Sequence, residues 1–107
     1  TVKPLALGHP FVSIGCKDSL DVARSWGYRT FDSVIDQSYD RRDDPEERLL
    51  AAVASARRYV EEYRRSDKTR ALTYEDSLFN VDWTMRGFLQ RYWDEYVRPL
   101  LSFLRLA

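Results

Sequence analysis

The densest set of reactive side chains lies at Asp36-Gln37-Ser38-Tyr39-Asp40. Two carboxylates four positions apart, with a hydroxyl and a phenol between them, could hydrogen-bond a ribose or another sugar. Asp32 adds a third acid nearby. Acids held together raise one another's pKa, which suits a general base. The same residue types are also the usual formers of caps and turns, and that structural role carries more weight here. A second group is Gly15-Cys16-Lys17-Asp18-Ser19. If a strand precedes it and a helix follows, it occupies the place where free backbone N–H groups receive a phosphate. Lys17 could then contact the anion and Ser19 could donate a hydrogen bond to it. Asp18 opposes this, because at the helix N-cap its charge falls where the anion would sit. An ordinary capped helix with a surface lysine is the simpler account.

The remaining candidates stand alone. Lys3 reads as a solvated lysine, although it could border the same pocket. His9, between Gly8 and Pro10, is as much a turn residue as an acid or base. Cys16 has only His9 nearby and reads as a small, buried or half-buried residue. Arg41 and Arg42 could meet phosphate, but Asp40, Asp43 and Asp44 offset them, so a solvated charged loop is expected.

The elements that would position these residues follow from pattern. Leu5 to Gly8 reads as the end of a short helix stopped by glycine. Phe11 to Gly15, β-branched and aromatic after Pro10, reads as a short buried strand. A helix capped by Asp18 carries Leu20, Ala23 and Trp26 on one face and ends at Gly27. Thr30-Phe31 could start a second strand. Residues 1–35 therefore predict an α-β-α-β unit with parallel strands, and 36–44 a polar loop. Asp44-Pro45-Glu46-Glu47 gives an N-cap, a proline at the first helical position and acids at the positive end of the dipole. That helix, over 45–65, should bury Leu49, Leu50, Val53, Ala56 and Val60. Ser66 to Arg70 reads as a link. A long helix over 73–104, capped by Thr73 and Asp76, carries Leu78, Val81, Met85, Phe88, Tyr92, Tyr96, Leu100 and Phe103 as a core stripe. Pro99 should kink or interrupt it. Trp83, Trp93 and Phe79 fall partly off the stripe and, if exposed, mark a contact surface.

Composition narrows the classes. The 107 residues, 44% hydrophobic with 14% aromatic, suffice for one domain with one core and exclude wholesale disorder. Seventeen basic residues balance seventeen acidic ones, and the arginines are interleaved with acids, which speaks against nucleic acid as a partner. No apolar run approaches 18 residues, so no membrane span is expected. One Cys and one His exclude an intrachain disulfide and most metal or Ser-His-Asp sites, and suit a reducing, cytoplasmic location. Thr1-Val2-Lys3-Pro4-Leu5 reads as the middle of a longer protein, so 1–107 is expected to be a single-domain fragment.

Lys3-Pro4-Leu5-Ala6-Leu7-Gly8-His9-Pro10-Phe11-Val12-Ser13-Ile14-Gly15 resembles a segment in the C-terminal half of glycosyltransferase-like proteins of bacteria, phages and large DNA viruses. The resemblance continues at Ser19-Leu20, at Trp26-Gly27-Tyr28-Arg29-Thr30-Phe31, and at Val34-Ile35-Asp36-Gln37-Ser38-Tyr39-Asp40, where the family pattern is close to I-D-E-S-Y-D. Arg48-Leu49 and Leu78-Phe79-Asn80 also fit. Two departures stand out: the Ser/Thr-Glu-Lys that usually precedes this segment is absent, and Gln37 replaces the family Glu. The resemblance implies an α/β fold, a helix-dominated Rossmann-like half domain with two short parallel strands and a long C-terminal helix. It implies a donor pocket for a nucleotide sugar lined by Lys17, Ser19, Asp36, Tyr39 and Asp40, with no catalytic residue identified. With no Asp-x-Asp in the chain, it implies no metal and no other cofactor. The fragment alone would bind a nucleotide weakly and transfer nothing, its partner being the N-terminal half of the same protein. The alternative is a small helical interaction or dimerisation module without catalysis, whose surplus aromatics meet a partner or a second copy.

Overall fold

A computed structural model of the chain describes residues 2–105; Thr1, where the suggestion of a longer protein begins, lies outside them. Helix α1 spans Val2–Ala6 and α2 spans Ser19–Ser25, followed by a 3-10 turn at Ser38–Arg41. Helix α3 runs Pro45–Arg65 and α4 runs Asp67–Asp82. The path of α4 continues without a break through π-helical turns at Trp83–Phe88, α5 at Leu89–Tyr92, further π-helical turns at Trp93–Val97, and α6 at Arg98–Phe103. Residues 67–103 thus form one rod.

No strand forms among the described residues, which overturns the α/β, Rossmann-like expectation. The physical reason lies in how the two extended segments find hydrogen bonds. Asn80, fully buried, accepts from the Arg29 N–H at 2.9 Å and donates to the Arg29 carbonyl at 2.8 Å. Gln37 donates to the Thr30 carbonyl and accepts from the Thr30 hydroxyl. The Ser13 N–H donates to the Tyr39 phenol at 2.9 Å, and the Gly15 carbonyl accepts from Arg48 Nε at 2.9 Å. Side chains complete what a neighbouring strand would otherwise complete. Phe31, fully buried at φ 65°, turns the chain into the left-handed region instead of starting a strand, and its carbonyl receives Val34 and Ile35 N–H.

Asp44 caps α3 by accepting from the Glu47 N–H at 3.2 Å, with Pro45 at the first helical position. Ser66 alone separates the next helix, capping it through the Thr69 N–H, so the expected link over 66–70 contracts to one residue. Thr73 and Asp76 do not cap; they are buried inside α4. Pro99 does not break the rod. The widened turn just before it gives the pyrrolidine ring room that a regular α-turn would deny.

Leu5, Ala23 and Tyr28 pack with Phe11, Trp83 and Phe88; Leu20, Tyr39 and Ala52 pack with Phe11 and Val12. The Trp83 indole lies in a slot between two glycines. A Cβ at Gly27 would come within 2.7 Å of its ring and one at Gly87 within 2.3 Å. Its Nε1 donates to the Trp26 carbonyl at 2.8 Å. The Cα extents are 55 × 34 × 15 Å, a plate about one helix layer thick. Leu49, Leu50, Val53 and Val60 of α3, expected inside, are exposed, while Arg48, Ala52 and Ser55 face in.

Asn80→Ala leaves both polar groups of Arg29 unpaired and should lower stability by about 2–3 kcal/mol. Urea unfolding should show this as a lower midpoint at unchanged slope. Asn80→Asp keeps the acceptor but sets a second oxygen against the Arg29 carbonyl, so it should not restore the loss.

Candidate functional site

The five expected site residues divide into an inner and an outer set. Asp40, 3% exposed, accepts from the Ser19 hydroxyl at 2.8 Å and from the Leu20 N–H at 2.9 Å. Its own carbonyl accepts from the Asp18 N–H at 2.7 Å. Asp40 therefore caps α2 from twenty residues away. Asp18 stands at the N-cap position but in the left-handed region, at φ 60°, and its carboxylate makes no capping bond. Ser13 donates its hydroxyl to Ser19 at 2.9 Å, since the Ser19 proton is already given to Asp40. Tyr39, fully buried, receives the Ser13 N–H, and burial raises its phenol above the usual value. Ser13, Ser19, Tyr39 and Asp40 thus form one internal network.

Lys17 and Asp36 lie outside it. Lys17 Nζ pairs with Asp43 at 2.6 Å on the surface, and that bond raises the ammonium pKa and lowers the carboxyl. Asp36 accepts from the Ser38 N–H at 3.0 Å, which lowers its pKa, and from Arg58 at 3.2 Å. Neither points into a cleft with the inner set. Three surface clefts stand out: one between α3 and α4 beside Tyr59 and Tyr74, one beside Trp26, Phe88 and Tyr96, and one beside Val12, Val53 and Val60. None is lined by Lys17, Ser19, Asp36, Tyr39 or Asp40. Cys16, expected to be at least half-buried, is an exposed free thiol. Among the described residues no group of three or more His, Cys, Asp and Glu could hold a metal ion. No helix among them is long and apolar enough to cross a membrane.

The rod carries the larger anomaly. Its inward face carries a row of polar residues beside Trp83 and Phe88: Thr73, Asp76 and Asn80 are buried, with Thr84 half-buried behind them. Tyr59 donates to Thr73 at 3.0 Å and Tyr28 to Thr84 at 2.7 Å, because both threonine protons go to backbone carbonyls. Arg29 and Ser33 reach Asp76 at 3.3 and 3.4 Å. Its outward face is apolar. Tyr74, Leu78, Val81, Met85, Leu89, Tyr92, Tyr96, Leu100 and Phe103 are all exposed, from 38% for Val81 to 83% for Phe103. Tyr92 and Tyr96, expected in the core, are more than half exposed at the edge of the cleft beside Trp26, with ring centroids 5.3 Å apart. Only Phe88 of the expected aromatic stripe turns inward, against Tyr28 at 6.0 Å. Trp93 is exposed as well, and Arg29 sits 4.0 Å over the Phe79 ring.

Compared with known proteins, the chain matches no family model, no curated protein and no solved structure. None of these comparisons bears on the glycosyltransferase-like resemblance. Asn80 and Arg48, the two polar residues that organise the interior, fit the resemblance as Leu78-Phe79-Asn80 and Arg48-Leu49, but their structural role is not legible in the sequence. The one available signal was Asn80 amid the apolar spacing of the rod.

A buried phenol with a raised pKa favours the fold fully below the ordinary value of 10.0, and this contribution is lost as the pH climbs through the higher folded value. Tyr39→Phe should therefore flatten the alkaline limb of the stability profile. At neutral pH the unpaired Ser13 N–H should cost about 1–2 kcal/mol, read by thermal or urea unfolding.

Proposed function

We propose that this chain is a helical protein-interaction module that works through the outward apolar face of its C-terminal rod. The observation that carries this reading is the inversion of that rod: Thr73, Asp76 and Asn80 are buried against the body, beside Trp83 and Phe88, while most of its large apolar residues stay exposed. A helix ordinarily buries its apolar stripe. A contiguous apolar surface of this length marks an interaction site. The molecular dimensions agree. The chain exposes 7476 Å², against about 6,200 Å² for a compact monomer of its mass. Its radius of gyration is 16.9 Å, against roughly 13 Å for a compact chain of this length.

Binding of a nucleotide sugar draws no comparable support. A diphosphate would need Lys17, Ser19 and the α2 terminus free, whereas Asp43 holds the first and Asp40 the other two. A carboxylate already sits where the phosphate would go. The exposed thiol of Cys16 suits a reducing compartment such as the cytoplasm.

Two measurements test the reading. Ligand-observed NMR against UDP, GDP, CMP and their sugar conjugates should show no saturable binding; a hit weakened by Lys17→Ala would restore the donor-site class. In cells that express the chain, p-benzoylphenylalanine in place of Tyr96 should yield a polypeptide adduct on irradiation. The same group in place of Lys68, exposed but off the stripe, should not. Absence of any adduct at position 96 would count decisively against the module.

A further inference from the structure

We infer that the occupant of the apolar stripe is a second copy of this chain, packed antiparallel about a two-fold axis between Gln90 and Arg91. This rests on the interaction-module reading and goes further by naming the partner and its register. The stripe residues from Leu78 onward fall at 78, 81, 85, 89, 92, 96, 100 and 103, steps of 3, 4, 4, 3, 4, 4 and 3. From Leu78 to Phe103 that series reads the same in both directions, with Tyr74 left beyond the paired segment. Reversing the rod about its centre brings Leu78 opposite Phe103, Val81 opposite Leu100, Met85 opposite Tyr96 and Leu89 opposite Tyr92. Four layers arise on each side of the axis.

Side-chain size supports the antiparallel sense. In each of those layers a smaller or more flexible residue meets a bulkier one, so layer volumes stay even. A parallel pair would set Phe103 on Phe103 and Val81 on Val81, alternating crowded and thin layers, which dense interiors do not tolerate well.

Charge does not oppose the pairing. Arg86 pairs with Asp82, Arg91 with Glu95 and Arg98 with Asp94 on the same rod, each four residues apart. The chain has no formal net charge to repel its copy. The area is sufficient: a standard interface buries about 800 Å² per partner. The whole chain, α3 included, exposes roughly 1,300 Å² more than a compact monomer, the difference between the two areas given above, which leaves room for an interface of that size. The body borders the stripe at Gly8 beside Val81 and at Ser25 and Trp26 beside Tyr92 and Tyr96, yet every residue of the stripe stays at least 38% exposed.

Sedimentation equilibrium of the full chain should give about 25 kDa, twice the 12.7 kDa of the monomer. Met85→Glu and, separately, Leu100→Glu should return it to monomer, with any loss of helical circular dichroism confined to the far end of the rod. Both sites are exposed in the single chain, so neither change disturbs the rest of its fold. A nitroxide at Ser102→Cys, in a Cys16→Ser background, should report a separation of about 35 Å, set by 23 residues of rise along opposed rods. A label separation near 10–15 Å means a parallel pair and overturns the register. A wild type that stays monomeric at several hundred micromolar, or a dimer untouched by both glutamates, overturns self-association. If that monomer still forms stripe-specific adducts with another polypeptide, the module reading stands; if it forms none, both fall.

Discussion

Extended backbone without a neighbouring strand must find its hydrogen bonds among side chains, and this protein is organised around that requirement. Arg29 and Thr30 are held by the amides of Asn80 and Gln37, Ser13 by the Tyr39 phenol, and Gly15 by the Arg48 guanidinium. Asp40 does the same for the first turn of α2. Each contact ties a loop to a helix or a turn, so the helices must present polar residues inward. Their apolar residues are then displaced to the outside, on α3 as well as on the rod. The outward stripe follows from how the interior is hydrogen-bonded.

What was legible in the sequence is what depends on adjacent residues. Asp44-Pro45 with two following acids marks the start of α3 because capping is a matter of a few consecutive backbone groups. The spacing of the apolar stripe was equally plain, since periodicity is a property of one helix. Its direction was not. Spacing says that one face differs from the other, and only the surrounding chain decides which face turns in. The strands failed for a related reason: Phe11 to Gly15 and Thr30-Phe31 have strand-like composition, but a strand also needs a partner. Side chains as distant in sequence as Asn80 took that place.

The candidate site shows the same division. The cluster over 36–40 was recognisable, and its capping role was weighed against sugar binding, yet the identity of the capped helix could not be read locally. Asp18 stands beside α2 and leaves it uncapped; Asp40 is remote and caps it. Gln37 gains meaning from geometry as well. Its amide donates to the Thr30 carbonyl, which an ionised Glu could not do.

No residue of the rod between Leu89 and Phe103 is buried, so its far half leans on little besides its own backbone. A helical stretch of that length, about 15 residues, is marginal in water on its own. Order at the tip is then a property of the solution as much as of the chain. A partner laid along the stripe would hold that tip in helix, so helix content would gauge how much of the protein is paired.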